Sequence, residues 1–131
     1  KELYSAPKTK FVANFIGDSN IIKVKIDDHN DKMYSISFSK IKFKIKSYIK
    51  LINSGSISIR PEKIEINKTN IDNSLEGEII SSAFVGNTYQ YDIRTPIGDL
   101  YVVSSETKNF KKVNDKIFLN FDARFITLLE D

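Results

Sequence analysis

The pattern of hydrophobic and polar positions changes period once along the chain, near Gly17. Before that point Phe11, Val12, Phe15 and Ile16 recur at i, i+1, i+4 and i+5, one apolar stripe at helical spacing. Ser5 stands as N-cap, Pro7 falls in the first turn, where its missing N–H costs little, and Gly17 fits the left-handed position that closes a helix. The segment predicts one short amphipathic α-helix.

After Gly17 the period is two. Ile22, Val24 and Ile26 alternate with lysines, Tyr34, Ile36 and Phe38 with serines, and Ile41, Phe43 and Ile45 with Lys40, Lys42, Lys44 and Lys46. Ile57 and Ile59 follow, then Ile64 and Ile66. Each run reads as a half-buried strand with one wet face. The cluster Asp27-Asp28-His29-Asn30-Asp31 reads as a turn, residues 47–51 as a short helical turn, and the polar stretch 67–74 as a loop between two halves. Further strands are predicted over 75–84, 88–94, 99–104, 116–121 and 124–129, with Thr95-Pro96-Ile97-Gly98 as a type I turn between two of them. Short strands at roughly 8–12-residue spacing predict an all-β fold of barrel or sandwich type. The expected layout is a helical lead-in over 1–18, a first β lobe over 19–73 and a second over 74–131.

Composition narrows the chemistry. The 131 residues contain no Cys, which excludes a disulfide framework, thiolate catalysis and a sulfur-ligated zinc site. One histidine, His29, leaves no multi-His metal site. The net charge of +3 with 28% charged residues is a mild excess spread along the chain. No apolar run approaches the roughly 18 residues a membrane-spanning helix needs, and no secretory signal opens the chain. A chain that opens on Lys1 reads as a piece of a longer protein.

Three features invite a functional reading. The acidic cluster around His29 lacks the glycine and the distal glutamate of a calcium-binding loop, so it reads as a solvated hairpin tip. The lysine ladder Lys40, Lys42, Lys44, Lys46 and Lys50 would suit a single nucleic-acid strand if aromatic side chains shared its face. Phe43 alternates with the lysines, however, and points to the opposite side. Carboxylate pairs such as Glu62 with Glu65 and Glu76 with Glu78 have no titratable partner beside them, and no phosphate-binding or nucleophile motif is present. The residues by themselves describe a binding or regulatory module, not an enzyme. A free-standing barrel for a small ligand or single-stranded nucleic acid is the competing reading.

Three stretches, taken in order, carry a resemblance. They are Tyr4-Ser5-Ala6-Pro7 leading to Phe11-Val12-Ala13-Asn14-Phe15-Ile16-Gly17-Asp18-Ser19-Asn20, then Ile59-Arg60-Pro61-Glu62-Lys63-Ile64, then Leu75-Glu76-Gly77-Glu78-Ile79 with Phe84-Val85-Gly86-Asn87. The chain resembles the C-terminal regulatory region of ABC importer ATPases of the maltose, sulfate and iron group, most closely the spermidine/putrescine members. The resemblance implies small OB-like (TOBE) barrels. It implies a non-catalytic domain that pairs with a second copy of the ATPase subunit, on the cytoplasmic side of an inner-membrane permease. ATP and Mg would belong to an ATPase domain preceding Lys1, so no cofactor is expected here and no nucleic acid. A small-molecule regulator could act by favouring one pairing of the subunits. The residues singled out for interface or regulation are Phe11, Phe15 and Ile16 on the helical stripe, and Arg60, Pro61 and Glu62 at the corner between two strands.

Overall fold

The computed structural model describes residues 19–50, 53–106 and 110–129. The predicted helix with Phe11, Phe15 and Ile16 lies outside them. The described residues form an all-β fold of two five-stranded antiparallel sheets. The first sheet has the order β10 (Thr127–Leu129), β4 (Ser54–Ile59), β1 (Asn20–Asn30), β2 (Met33–Phe38), β3 (Ile41–Lys46). The second has the order β5 (Glu65–Asn67), β9 (Lys116–Asn120), β6 (Ser74–Val85), β7 (Thr88–Thr95), β8 (Gly98–Ser104). Each sheet takes one strand from the other half of the chain. β5 precedes residue 74 yet pairs with β9, and β10 comes last yet pairs with β4.

The two sheets have the same strand order when β1, β2, β3, β4 and β10 are matched with β6, β7, β8, β9 and β5. The likeness extends to single residues. Both long first strands carry a register shift at the matched place, between Ile26 and Asp28 and between Ile79 and Ser81. A bulge there bends a long strand so that it can serve two walls of a curled sheet. Just beyond, Tyr34 pairs with His29 and Tyr91 with Ser82. Both tyrosines are buried and use their hydroxyls on loop backbone: Tyr34 Oη donates to the Ile49 carbonyl at 2.7 Å, and Tyr91 Oη accepts from the Lys111 N–H at 3.1 Å. The described residues thus form two lobes of like strand order, each completed by the last strand of the other.

Alternation explains the strands. Ile22, Val24 and Ile26 are buried while Lys23 and Lys25 are exposed, and β3 buries Ile41 and Ile45 while Lys42, Lys44 and Lys46 face water. The inward residues of both sheets merge into one core cluster, joined where Phe121 meets Phe38 edge-on at 5.4 Å. Local expectations differ in three places. β1 continues through Asp27, Asp28 and His29 to Asn30, and the reversal sits at Asp31 and Lys32, with Asp31 at φ 58°. His29 stacks on Tyr34 at 4.1 Å, a cross-strand pair that outweighs the poor strand propensity of Asp and Asn. Residues 47–50 form a bend and no helical turn. The strand expected over 124–129 is instead a 3-10 turn, Ala123–Phe125, followed by the short β10.

Candidate functional site

Arg60, Pro61 and Glu62 lie where β4 crosses over to become β5. Arg60 is extended (φ −72°, ψ 145°), Pro61 opens a 3-10 turn over Pro61–Lys63, and the Lys63 N–H donates to the Arg60 carbonyl at 3.0 Å. Proline suits the first position of such a turn because its φ is already set and no donor is lost. Pro61 is buried, Arg60 half-buried and Glu62 exposed. The turn packs against β8. Pro61 is therefore the packing element of the motif, and Glu62 is its solvent-facing charge.

The matched crossover, from β9 to β10, carries the second 3-10 turn. Asp122 caps it by accepting the Arg124 N–H at 2.9 Å, and the Arg124 guanidinium returns to the same carboxylate at 2.6 Å. That contact holds the Asp122 carboxyl below its usual range and raises Arg124 further. The two turns meet across one ring. Lys63 Nζ lies 4.4 Å and Arg124 Cζ 5.3 Å from the centroid of Phe125, which is 40% exposed.

An open groove of about 900 Å³ runs between the turns and the end of β8. Its lining sets Lys63, Lys111 and Arg124 against Glu62, Glu65, Glu106 and Asp122. Burial pushes the Lys111 ammonium down from its ordinary value, with the Lys68 charge adding to the effect. Among the described residues no group of His, Cys, Asp and Glu could hold a metal ion. The chemistry of the groove is that of charge recognition.

The sequence places Arg60, Pro61 and Glu62 at a corner, and of the three the structure brings Glu62 to the groove that Lys63, Arg124 and Phe125 also line, residues that the sequence does not single out. Phe125 looked like one more strand residue. Its partnership with Lys63 depends on a crossover that no local pattern reveals. The lysine ladder lies on the wet face of β3, whereas Phe43 turns to the other side and sits 6.1 Å from Phe38.

Two asparagines were also missed. The Asn20 side chain accepts from the Tyr101 N–H and donates to the Tyr101 carbonyl, both at 2.8 Å. Asn73 does the same to Lys42, accepting from its N–H at 2.9 Å and donating to its carbonyl at 3.1 Å. Each amide imitates one residue of a neighbouring strand and occupies part of the free edge of the other lobe's sheet. The signal in the sequence is an Asn two positions before the first buried hydrophobic residue of a long strand, Ile22 in one lobe and Leu75 in the other.

Two five-stranded sheets with exchanged strands and a polar groove between their 3-10 turns are the fold and the candidate site. The chain belongs to the TOBE domain family, whose model matches residues 57–129. The match begins in β4 and ends in β10, so it takes in the whole second sheet together with the β4–β10 pair. Among similar proteins, the Fe(3+) ions import ATP-binding protein FbpC of Agrobacterium fabrum is 23% identical over 99% of this chain. The spermidine/putrescine import ATP-binding protein PotA of Mesomycoplasma hyopneumoniae is 29% identical over 99%. The chain spans about a third of the length of these relatives, 36% and 28% respectively. A solved structure of the cytoplasmic molybdate-binding protein ModG has the same fold, with a TM-score of 0.64 over 86% of this chain and 96% of that one at 8% identity.

Proposed function

We propose that this chain is the regulatory, non-catalytic part of the ATP-binding subunit of an ABC importer, and that the importer carries polyamines. The observation that carries the reading is coverage. Relatives that are import ATP-binding proteins align with 99% of the chain, lead-in included. The polyamine assignment rests on the higher identity to the spermidine/putrescine protein, 29% against 23% for the iron protein. In this reading ATP and Mg are handled by an ATPase domain outside this sequence. The subunit works as a pair beneath a membrane permease, and the TOBE lobes hold the pair together as an isologous contact. Arg60 and Glu62, with the groove beside them, offer the polar surface for a partner or small regulator. The lead-in residues Phe11, Phe15 and Ile16 belong to the same proposal.

The test uses the full-length subunit reconstituted with its permease and external binding protein in vesicles. ATPase activity should rise when the binding protein carries spermidine and stay basal when it carries ferric iron. Stimulation by iron alone would reverse the solute assignment. No stimulation by either, with the subunit correctly assembled, would remove the importer reading. Charge reversal at Glu62 should change coupling or regulation without changing basal hydrolysis.

A further inference from the structure

The outward face of the first sheet gathers charge of one sign. β1 carries Lys23 and Lys25 there and β3 carries Lys42, Lys44 and Lys46, all five exposed. Between these two columns β2 lays a floor of Ser37, Ser35 and Met33, opposite Lys42, Lys44 and Lys46 in turn. Ser37 also lies opposite Lys25, so the columns share that floor. Among the described residues the ion pairs are Lys116 with Glu78 and Arg124 with Asp122, and none of the five lysines enters one. Beyond Lys25 the strand turns acidic at Asp27 and Asp28, where the Asp28 carboxylate accepts from the His29 N–H at 2.9 Å.

The fold does not require these lysines. Lysine on an edge strand deters pairing with another chain, and β3 is an edge, but β1 lies inside the sheet between β4 and β2 and holds two of the five. The second lobe serves as a control. Aligned on the two bulges, Lys23, Lys25 and Lys42 correspond to Glu76, Glu78 and Asp99, and Lys44 and Lys46 to Tyr101 and Val103. Equal positions of a like sheet therefore carry the opposite charge. The second face also answers its own acids, because Glu78 lies opposite both Arg94 and Lys116. On the first face the floor between the columns is serine and methionine. A surface of one sign costs the fold self-repulsion and attracts the opposite charge from outside.

We propose that the outward face of the first sheet docks an acidic, extended segment of another protein, laid along β2 with its carboxylates reaching the lysine columns on both sides. The columns stand two strand spacings apart, about 9.6 Å, room for one extended chain between them. Successive lysines of β3 repeat about every 6.6 Å, the repeat of same-side residues on an extended chain. Ser35 and Ser37 add short hydroxyls, and Met33, 43% exposed, offers an adaptable contact for one apolar side chain. A single strand of nucleic acid would stack its bases on aromatic side chains of this face, whereas Phe43 of β3 turns the other way, toward Phe38. The inference depends neither on which solute the protein serves nor on the groove between the 3-10 turns.

The probe is a short peptide of alternating Glu and Ser with one central Leu, titrated into the full chain at low salt and followed by backbone NMR. The signals of Lys25, Ser35, Ser37 and Lys44 should shift together and saturate, and the affinity should fall as salt is added. Lys25→Glu combined with Lys44→Glu should weaken binding about tenfold or more, with the signals of the core residues Ile36 and Ile93 in place to show that the variant is folded. Asp99→Lys, the reversal at the matched position of the second lobe, should leave the affinity unchanged. No binding at low salt, shifts confined to the second sheet, or binding that the double reversal does not weaken would each overturn the proposal. So would tighter binding of a single-stranded oligonucleotide of equal charge at this face, which would make nucleic acid the occupant. Shifts of the same signals with protein concentration alone would overturn it as well, in favour of a second copy of the chain.

Discussion

Glycine inside a strand ordinarily weakens it, yet Gly77 sits in the middle of β6. A Cβ there would lie 2.6 Å from Ile93 Cγ2 and 3.2 Å from Ile117 Cδ1, both on fully buried, β-branched side chains that cannot swing aside. Gly77→Ala should destabilise the fold by about 1–3 kcal/mol, as overpacking does, read as a lower urea midpoint with an unchanged slope. The asparagine clamps make a paired prediction. Asn20 is buried, so Asn20→Ala removes two hydrogen bonds to the Tyr101 backbone from a site shielded from water, at a cost of about 1–3 kcal/mol. Asn73 is exposed and has φ 61°, a conformation glycine adopts without strain. Asn73→Gly therefore loses only solvated hydrogen bonds and should cost less than about 1 kcal/mol. Amide exchange at Tyr101 should accelerate in the first variant and stay unchanged in the second. Equal costs would mean that the clamps are not distinguished by burial.

At the scale of elements, alternation told which strands exist and which way their side chains face, because period two survives wherever one face is wet. It told much less about ends and crossings. The acidic run around His29 has turn composition yet is strand, since its pairing with Tyr34 is a cross-strand property. Arg124 and Phe125 lie in a strand-like run yet form a turn, because Asp122 captures Arg124. Legible in the candidate site was the corner at Arg60 and Pro61; its partner ring, Phe125, became visible only with the crossover. The pairing of β6 with β9 brings Glu78 to Lys116, whose Nζ lies 2.7 Å from the carboxylate. The hydrogen bond and charge of Lys116 hold the Glu78 carboxyl below its ordinary value. A depressed carboxyl contributes stability that is present above its unfolded pKa and lost as the pH falls through the folded one. The melting-temperature difference between the natural chain and Lys116→Ala should therefore be greatest at neutral pH and vanish in acid. In an NMR titration Lys116→Ala should raise the Glu78 midpoint toward the ordinary glutamate range. A midpoint that does not move would show that the pair is not formed in solution.

For the whole molecule, the exchange of β5 and β10 decides how the protein unfolds. Neither half of the chain contains a complete sheet. Residues 19–73 lack β10, which covers one edge of β4, and residues 74–129 lack β5, which covers one edge of β9. Both crossovers also feed one core, with Phe121 on Phe38 joining the sheets. Losing β10 removes Leu128 from the core and exposes the edge beside Ile57 in the first lobe, although the deleted residues follow the second lobe in sequence. Two lobes of this size joined only by a linker would melt separately; lobes completed by each other's strands should melt together. In urea, NMR signals of Ile36 in the first lobe and Ile93 in the second should therefore disappear with one midpoint, coincident with the far-ultraviolet transition. Deleting residues 127–131 should lower both midpoints equally. If the second lobe kept its midpoint after that deletion, or if the natural chain melted in two steps, the lobes would be independent units. The clamps and crossovers would then be contacts of convenience between them. A single shared midpoint instead means that a ligand or partner bound at the corner of the two 3-10 turns stabilises both sheets at once, and a signal received at one lobe is felt by the other.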